Sequence, residues 1–263
     1  TNSSGIGTNW NDAGSGSSHI DWLCTYYIYD DLNQLRCVVQ PEAVKIMSAL
    51  PSPSWTLTNE LLYEQCFRYE YDHRGRMIMK KVPGATEVRM VYDERDRLVM
   101  TQDGNMSTGT VKWLVTKYDA LNRPTETGLW NNSTAFTTHL TNANASSSYP
   151  STTGTYDILT ITHYDDYTGL PSGLSSFLTT WNTHFADTDN SNWPYPQLVT
   201  TASTATKGMV TWTQTKILGH STYLNSVNYY DDHGRVIQKN SYNITGGKDV
   251  TTSQYGWAGH PLV

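Results

Sequence analysis

Cys66-Phe67-Arg68-Tyr69-Glu70-Tyr71-Asp72-His73-Arg74-Gly75-Arg76-Met77 is the stretch on which the reading of this chain turns. Its first half alternates, with Phe67, Tyr69 and Tyr71 on one side of an extended strand and Arg68 and Glu70 on the other. Its second half is a turn signal. An Asp carboxylate accepts from backbone N–H groups two residues on, and a glycine supplies the positive φ that a side chain resists. Arg76 then begins a return strand, where it lies near Asp72 across the hairpin. The pair is expected to be exposed, worth about 0.2–1 kcal/mol, and to set register more than stability.

The same phrase recurs along the chain. Tyr230-Asp231-Asp232-His233-Gly234-Arg235-Val236 is a full copy. Tyr92-Asp93 with Arg97 and Tyr118-Asp119 with Arg123 keep everything but the glycine, which becomes Asp96 or Asn122. Tyr29-Asp30 carries Asn33 in the turn and Gln34 in the arginine position. Two copies are worn: Tyr164-Asp165 has its glycine one place late, at Gly169, and Tyr255-Gly256 has lost the acid. The fifth position holds only residues that tolerate φ > 0 cheaply in the five good copies. The step from Tyr71 to Tyr92 is 21 residues and that from Tyr29 to Tyr71 is 42, twice the unit. Later steps of 26, 46, 66 and 25 residues are the unit with insertions. A 21-residue unit is one β-hairpin, too short for a four-stranded propeller blade. A lone hairpin cannot bury its tyrosine side, so neighbouring units are expected to do it.

The motif resembles the YD-repeat, or Rhs-repeat, family of large bacterial surface and toxin-delivery proteins. The block Leu61–Asn105 is similar to the version carried by Bacteroidetes, running from Cys66-Phe67-Arg68-Tyr69 through Lys80-Lys81-Val82-Pro83-Gly84 to Asp96-Arg97-Leu98 and Gln102-Asp103-Gly104. The resemblance extends from about Tyr26 to Val263 and thins between Asn131 and Thr206. It implies a mainly β fold, an antiparallel curved sheet of stacked YD-repeat hairpins forming part of an Rhs-type shell, with short helices in insertions. It also implies a scaffold without catalytic residues, at a bacterial cell surface or secreted. Partners would be other YD repeats of the parent chain, a C-terminal toxin or cargo, or surface glycans and proteins. The D-P-x-G signature that ends the family's core is missing, and seven units are few for a closed shell. The chain is therefore expected to be a segment of a longer protein.

Organisation follows from punctuation. Residues 1–18 are a Gly/Ser/Asn string expected to be a flexible leader. Residues 19–263 are expected to form a single YD-repeat β domain. A helical insertion at about 41–64 is marked by Pro41 at a helix start and by Thr58-Asn59 as a cap. Residues 131–155 read as a polar loop, and 170–206 as an irregular insertion with room for a short helix near Phe177–Phe185.

Composition narrows function further. The net charge of -6 argues against a nucleic-acid partner, since phosphate binding requires a basic footprint. No apolar run reaches the ~18 residues of a membrane helix. Three cysteines, Cys24, Cys37 and Cys66, form no C-x-x-C pair and read as reduced structural thiols, with a Cys37–Cys66 bridge as the alternative. No catalytic signature, no metal-ligand spacing and no cofactor motif is present, and turn chemistry explains the paired acids Asp165-Asp166 and Asp231-Asp232. Calcium at Asp187–Asn190 is a weaker reading. The competing functional class is binding. Trp113, Trp130, Trp181, Trp193 and Trp212, where exposed, would make aromatic platforms for a sugar or a protein, with Trp181 and Trp193 as the ligand-contact candidates.

Overall fold

The computed structural model describes residues 24–48, 57–185 and 198–262; the leader at 1–18, the Asp187–Asn190 loop and Trp193 lie outside the described residues. The chain is mainly β. Thirteen strands form an antiparallel sheet whose hydrogen-bonded order is the chain order, β1 to β13, as successive hairpins require. The strands are β1 Tyr26–Tyr29, β2 Leu35–Val39, β3 Cys66–Tyr71, β4 Met77–Lys81, β5 Val88–Tyr92, β6 Leu98–Gln102 and β7 Lys112–Tyr118. They continue as β8 Pro124–Asn131, β9 Tyr156–Tyr164, β10 Val210–Lys216, β11 Tyr223–Tyr230, β12 Val236–Tyr242 and β13 Lys248–Thr252. Four short α-helices are present among the described residues: α1 Pro41–Ser48, α2 Asn59–Glu64, α3 Gly104–Ser107 and α4 Phe136–Asn144.

A register shift recurs at one place in the motif. Glu70 pairs with Met79 but Tyr71 pairs with Met77, leaving Ile78 as an extra residue. The same shift singles out Arg36, Val99 and Ile237 in the hairpins at Tyr29, Tyr92 and Tyr230. Each is a bulge on the return strand just after the turn, which bends that strand and tightens its twist.

Contacts divide the chain into two compact units. The first runs to Val115 and includes Trp130–Thr155. Its dry face is the one opposite Phe67, Tyr69 and Tyr71. Cross-strand partners Val39 and Cys66, Glu70 and Met79, Val91 and Met100, Met100 and Val115 follow one another across that face. Val39, Cys66, Met79, Val91, Met100, Trp113 and Val115 on it are all buried. Helices α1 and α2 cover one end of it, packing Ala43, Val44, Met47 and Leu61 on Cys37, Val39 and Cys66. Thr58 caps α2 by accepting from the Leu61 N–H at 3.2 Å. Cys37 and Cys66 are free thiols here, and burial pushes the Cys37 thiol up to about 12, with the neighbouring Cys66 adding to the rise.

Two expectations are corrected in this unit. Most of the motif tyrosines are not hidden by lateral stacking: Tyr71 and Tyr92 are half-buried and Tyr29 remains 43% exposed. Residues 131–155 are also more than a polar loop. They carry α4, whose Phe136 stacks on Trp113 and whose His139 is fully buried between Trp113 and Trp130. Thr and Asn on the outer side of the helix disguised it as low-complexity loop.

The second unit comprises Thr116–Leu129 and the chain from Tyr156 onward. Here the sheet face is covered by irregular backbone. The insertion after β9 lays Tyr167, Leu170, Leu174 and Phe177 over Trp212, Val227, Tyr229 and Ile237. Such a strap has no ladder for its own peptide groups, so the sheet supplies partners. Trp212 Nε1 donates to Thr168 O at 2.9 Å, Tyr229 Oη to Leu174 O at 2.7 Å and Asn240 Nδ2 to Ser176 O at 3.0 Å. Gln238 uses both ends of its amide, accepting from Leu178 N and donating to Leu178 O, each at 2.8 Å. This explains the amides Gln238 and Asn240, 1% and 0% exposed in the middle of β12. The helix expected near Phe177–Phe185 shrinks to one 3-10 turn at Asn182–His184, because the strap's peptide groups pair with sheet side chains instead.

Replacing Gln238 by Leu leaves both peptide groups of the partly buried Leu178 without their partner. Urea denaturation should show a loss of about 2–4 kcal/mol. Lys239→Ala, one position along and exposed, should change stability by less than about 0.5 kcal/mol.

Candidate functional site

The chemistry-bearing residues of the sequence collect in the motif turns. In five copies the backbone is the same: the Asp N–H donates to the carbonyl four residues on, and the residue three on donates back to the Asp carbonyl. The fifth position is left-handed in every one, with φ of 60° at Asn33, 77° at Gly75, 62° at Asp96, 63° at Asn122 and 76° at Gly234. The carboxylates do more than the expected single contact. Oδ1 of Asp72 accepts from Arg74 N at 2.9 Å and from Arg76 N at 3.0 Å, and Asp30, Asp93, Asp119 and Asp231 repeat both bonds. Oδ2 takes the arginine Nε of the same turn at 2.6–2.7 Å in the copies of Arg76, Arg97, Arg123 and Arg235.

The pair is not exposed, as its place at a turn suggested. The Asp93 side chain is 0% exposed and that of Arg97 is 11%; at Asp72 and Arg76 the values are 7% and 12%. Asp119 and Arg123 are wetter, at 22% each.

The arginine also reaches the next repeat. The Arg76 guanidinium lies 5.1 Å from the Tyr92 ring centroid and donates to Asp93 O and to Asp96 Oδ1, at 3.0 and 2.7 Å. Arg123 lies 4.3 Å from the Tyr164 ring and binds both carboxylate oxygens of Asp165, at 2.9 and 2.5 Å. Arg235 lies 4.8 Å from the Tyr255 ring and donates to Gly256 O at 3.4 Å, a carbonyl that remains although the acid is gone. In the first copy Gln34 stands where the arginine belongs. Arg36 on the bulge takes its part, 3.9 Å from Asp30 and 5.9 Å from the Tyr71 ring. Arg76, Arg123 and Arg235 thus each close their own turn and clamp the phenol of the following one.

Two copies differ from their reading. Tyr164-Asp165 is not a closed hairpin turn with a late glycine. Asp165 has φ 74°, and its N–H donates to Met209 O at 3.0 Å, while Gly208 N donates to Asp165 Oδ1 at 2.7 Å. The bond that closes the turn is kept, with Met209 O as its acceptor, while Met209 N donates to Thr206 O; residues 166–207 are spliced between the two halves. The worn copy at Tyr255 keeps its turn: Gly256 N donates to His260 O and Gly259, at φ 81°, donates to Gly256 O. A further turn of the kind escaped sequence reading at Tyr242-Asn243. Asn243 Oδ1 accepts from Thr245 N and Gly247 N, at 3.1 and 2.9 Å, as an Asp would. Asn for Asp and Gly247 for Arg hid it, although Gly246 in the φ > 0 position was a signal.

Electrostatics agree with the geometry. Burial pushes the Asp72 carboxyl up, but the Arg76 side chain and the N–H groups of Arg76 and Arg74 outweigh it and hold it below the ordinary value. Asp119 follows the same balance with Arg123. At Asp165 the Arg123 guanidinium first, then the Gly208 N–H, hold the carboxyl well below the usual range.

Among the tryptophans proposed as platforms, Trp113, Trp130 and Trp212 are buried. Trp181 is 48% exposed, with its ring 5.9 Å from that of His184. A recess of about 570 Å³ in the second unit is walled by Phe177, Phe185, Thr201, Asp231, His233 and Gln254, among others. Asp231 in that wall is already committed to Arg235. Among the described residues no group of three or more His, Cys, Asp or Glu could hold a metal, and no helix is long and apolar enough to cross a membrane.

No family model and no curated protein matches this chain. Among solved structures it is similar to the crystal structures of TcdB2-TccC3-TEV, at 12% identity and a TM-score of 0.36, and of TcdB2-TccC3-Cdc42, at 11% and 0.37. It is also similar to the Photorhabdus luminescens Tc holotoxin pore, at 13% identity and a TM-score of 0.37. Each match covers 90% of this chain, which spans about 11% of the length of the matched one.

Asp93→Ala should cost about 3–5 kcal/mol in thermal or urea denaturation, because it strands a buried guanidinium and two N–H groups. Asp119→Ala, in wetter surroundings, should cost distinctly less. A folded pKa held below the unfolded one contributes stability that is present above about pH 4 and lost as pH falls through the folded value. The stability gap between the wild type and Asp165→Asn should therefore close as denaturation is repeated from neutral pH to below about pH 4.

Proposed function

We propose that this chain is a non-enzymatic structural segment of a bacterial YD/Rhs-repeat protein of the Bacteroidetes type, displayed at the cell surface or secreted. Its role is to form β-sheet wall. The observation that carries this reading is the use to which the motif side chains are put. The arginines of four good copies are tied to their own Asp, and three of the motif arginines also lie over the tyrosine of the following repeat. The polar groups of the repeat are thereby occupied in joining one unit to the next. Further YD repeats of the parent chain are its natural partners, with a toxin or other cargo enclosed by the assembled wall.

A second reading rests on the exposed Trp181 beside His184, an amphipathic surface of the sort that sugars and proteins stack on. The two are separated by a binding screen of the whole chain against glycan arrays and bacterial surface proteins. Wall function predicts no saturable ligand and no effect of Trp181→Ala. A saturable glycan whose binding disappears with Trp181→Ala would overturn the wall reading in favour of adhesion.

A further inference from the structure

The segment 132–155 of the first unit is tied at its ends by backbone bonds and by Trp130 Nε1 donating to Thr153 O at 2.7 Å, and between them it is held to the sheet by two unlike devices. One is a pair of repeat arginines: Arg76 Nη2 donates to Asn144 Oδ1 and Arg97 Nη2 to Ser147 O, both at 2.5 Å. The other is a single imidazole. His139 of α4 is 0% exposed, its ring 4.9 Å from Trp113, 6.0 Å from Trp130 and 6.1 Å from Tyr149. Its Nδ1 shares a hydrogen bond of 2.6 Å with Tyr149 Oη. Its Nε2 is buried without a hydrogen-bond partner, and so is Nε1 of Trp113.

A neutral imidazole tolerates that setting and an imidazolium does not. Protonation places a charge among aromatic rings and makes both ring nitrogens donors, where only Nδ1 has a partner, Tyr149 Oη. Among the described residues no carboxylate lies close enough to favour the imidazolium. Tyr149 is the titratable group against the ring, and burial raises its phenol, which stays neutral. The charged side chain that β5 brings against α4 is Arg89, over the Phe136 ring at 5.4 Å and paired with Glu87 at 2.7 Å. With its charge met by Glu87, that guanidinium offers the imidazolium nothing. Burial alone accordingly holds the imidazole below its ordinary value.

We propose that residues 132–155 form an acid-released clip: protonation of His139 undocks α4 from the sheet and bares the apolar surface around Trp113 and Trp130. The sign follows from linkage. Undocked His139 takes up a proton near the ordinary imidazole value, and docked His139 only at lower pH, because of its burial. Docking is complete above about pH 6.5 and weakens as pH falls below it, by up to about tenfold per pH unit. The Asp72 carboxyl that anchors one arginine catch is held below the ordinary carboxylate value by Arg76 and two N–H groups, so the clip lets go before that hairpin does.

Hydrogen exchange of the whole chain, corrected for the intrinsic rate, tests this at pH 7 and about pH 5. Protection over 136–150 should fall by about tenfold or more while β3 to β6 keep theirs, with buried tryptophan fluorescence shifting to the red. In His139→Gln, which cannot gain a proton, protection over 136–150 should be the same at both values. Tyr149→Phe keeps the imidazole and should retain the acid step, even if His139→Gln weakens docking at every pH. Loss of protection that is equal in wild type and His139→Gln, absent from both wild type and Tyr149→Phe, or spread evenly over the strands would overturn the proposal.

Discussion

A carboxylate that organises its own turn and surrenders its second oxygen to an arginine is the interaction on which the sheet rests. At Asp72 one oxygen fixes two backbone N–H groups and so the turn; the other orients the Arg76 guanidinium, which then lies over the next tyrosine. Turn formation and unit-to-unit registration are therefore the same event. A lysine could supply the charge but neither the fork nor the flat face, which is why the position is Arg in four of the five good copies. In the fifth, the bulge at Arg36 restores the guanidinium to its place.

The two units solve the problem of a one-sided sheet differently. The first brings amphipathic helices to an apolar face, so its cover satisfies its own peptide groups. The second brings unstructured backbone, and its strands must carry Gln238, Asn240 and Tyr229 inward to complete the strap's hydrogen bonds. Buried amides in a strand are costly in isolation and become specific once the strap is seated. They fix which residues of the insertion lie over which strand, something an apolar face alone does weakly.

Most of the sheet was legible because period-two alternation and positive-φ residues are local signals, and the return of Tyr-Asp every unit length phases them. Strand positions, hairpin order and the identities of Asn33, Asp96 and Asn122 as turn residues all follow from those signals. What stayed hidden was long-range. The bulge at Ile78, Val99 and Ile237 costs no unusual residue, so nothing marks it. The second partner of Arg76 or Arg123 lies one repeat away, and sequence gives only its first. The choice of dry face was misread because aromatic content was weighed above coverage: tyrosine, with its polar tip, sits half-buried under arginine, while Met, Val and Cys take the dry side. α4 was missed because seven of its nine residues are Thr, Asn, Ala or His, and its burial depends on Trp113 and Trp130 outside the helix.

The splice at Asp165 has a consequence for how such chains diversify. Two bonds reach across whatever lies between Asp165 and Gly208, so the junction of β9 and β10 is closed locally while the inserted residues are left to serve as cover for the sheet face. Loop closure grows only slowly more costly with length, so a forty-residue excursion is cheap once both ends are clasped. The motif turn is in effect a grafting port, through which new sequence enters the rim of the sheet without renumbering a single strand pair.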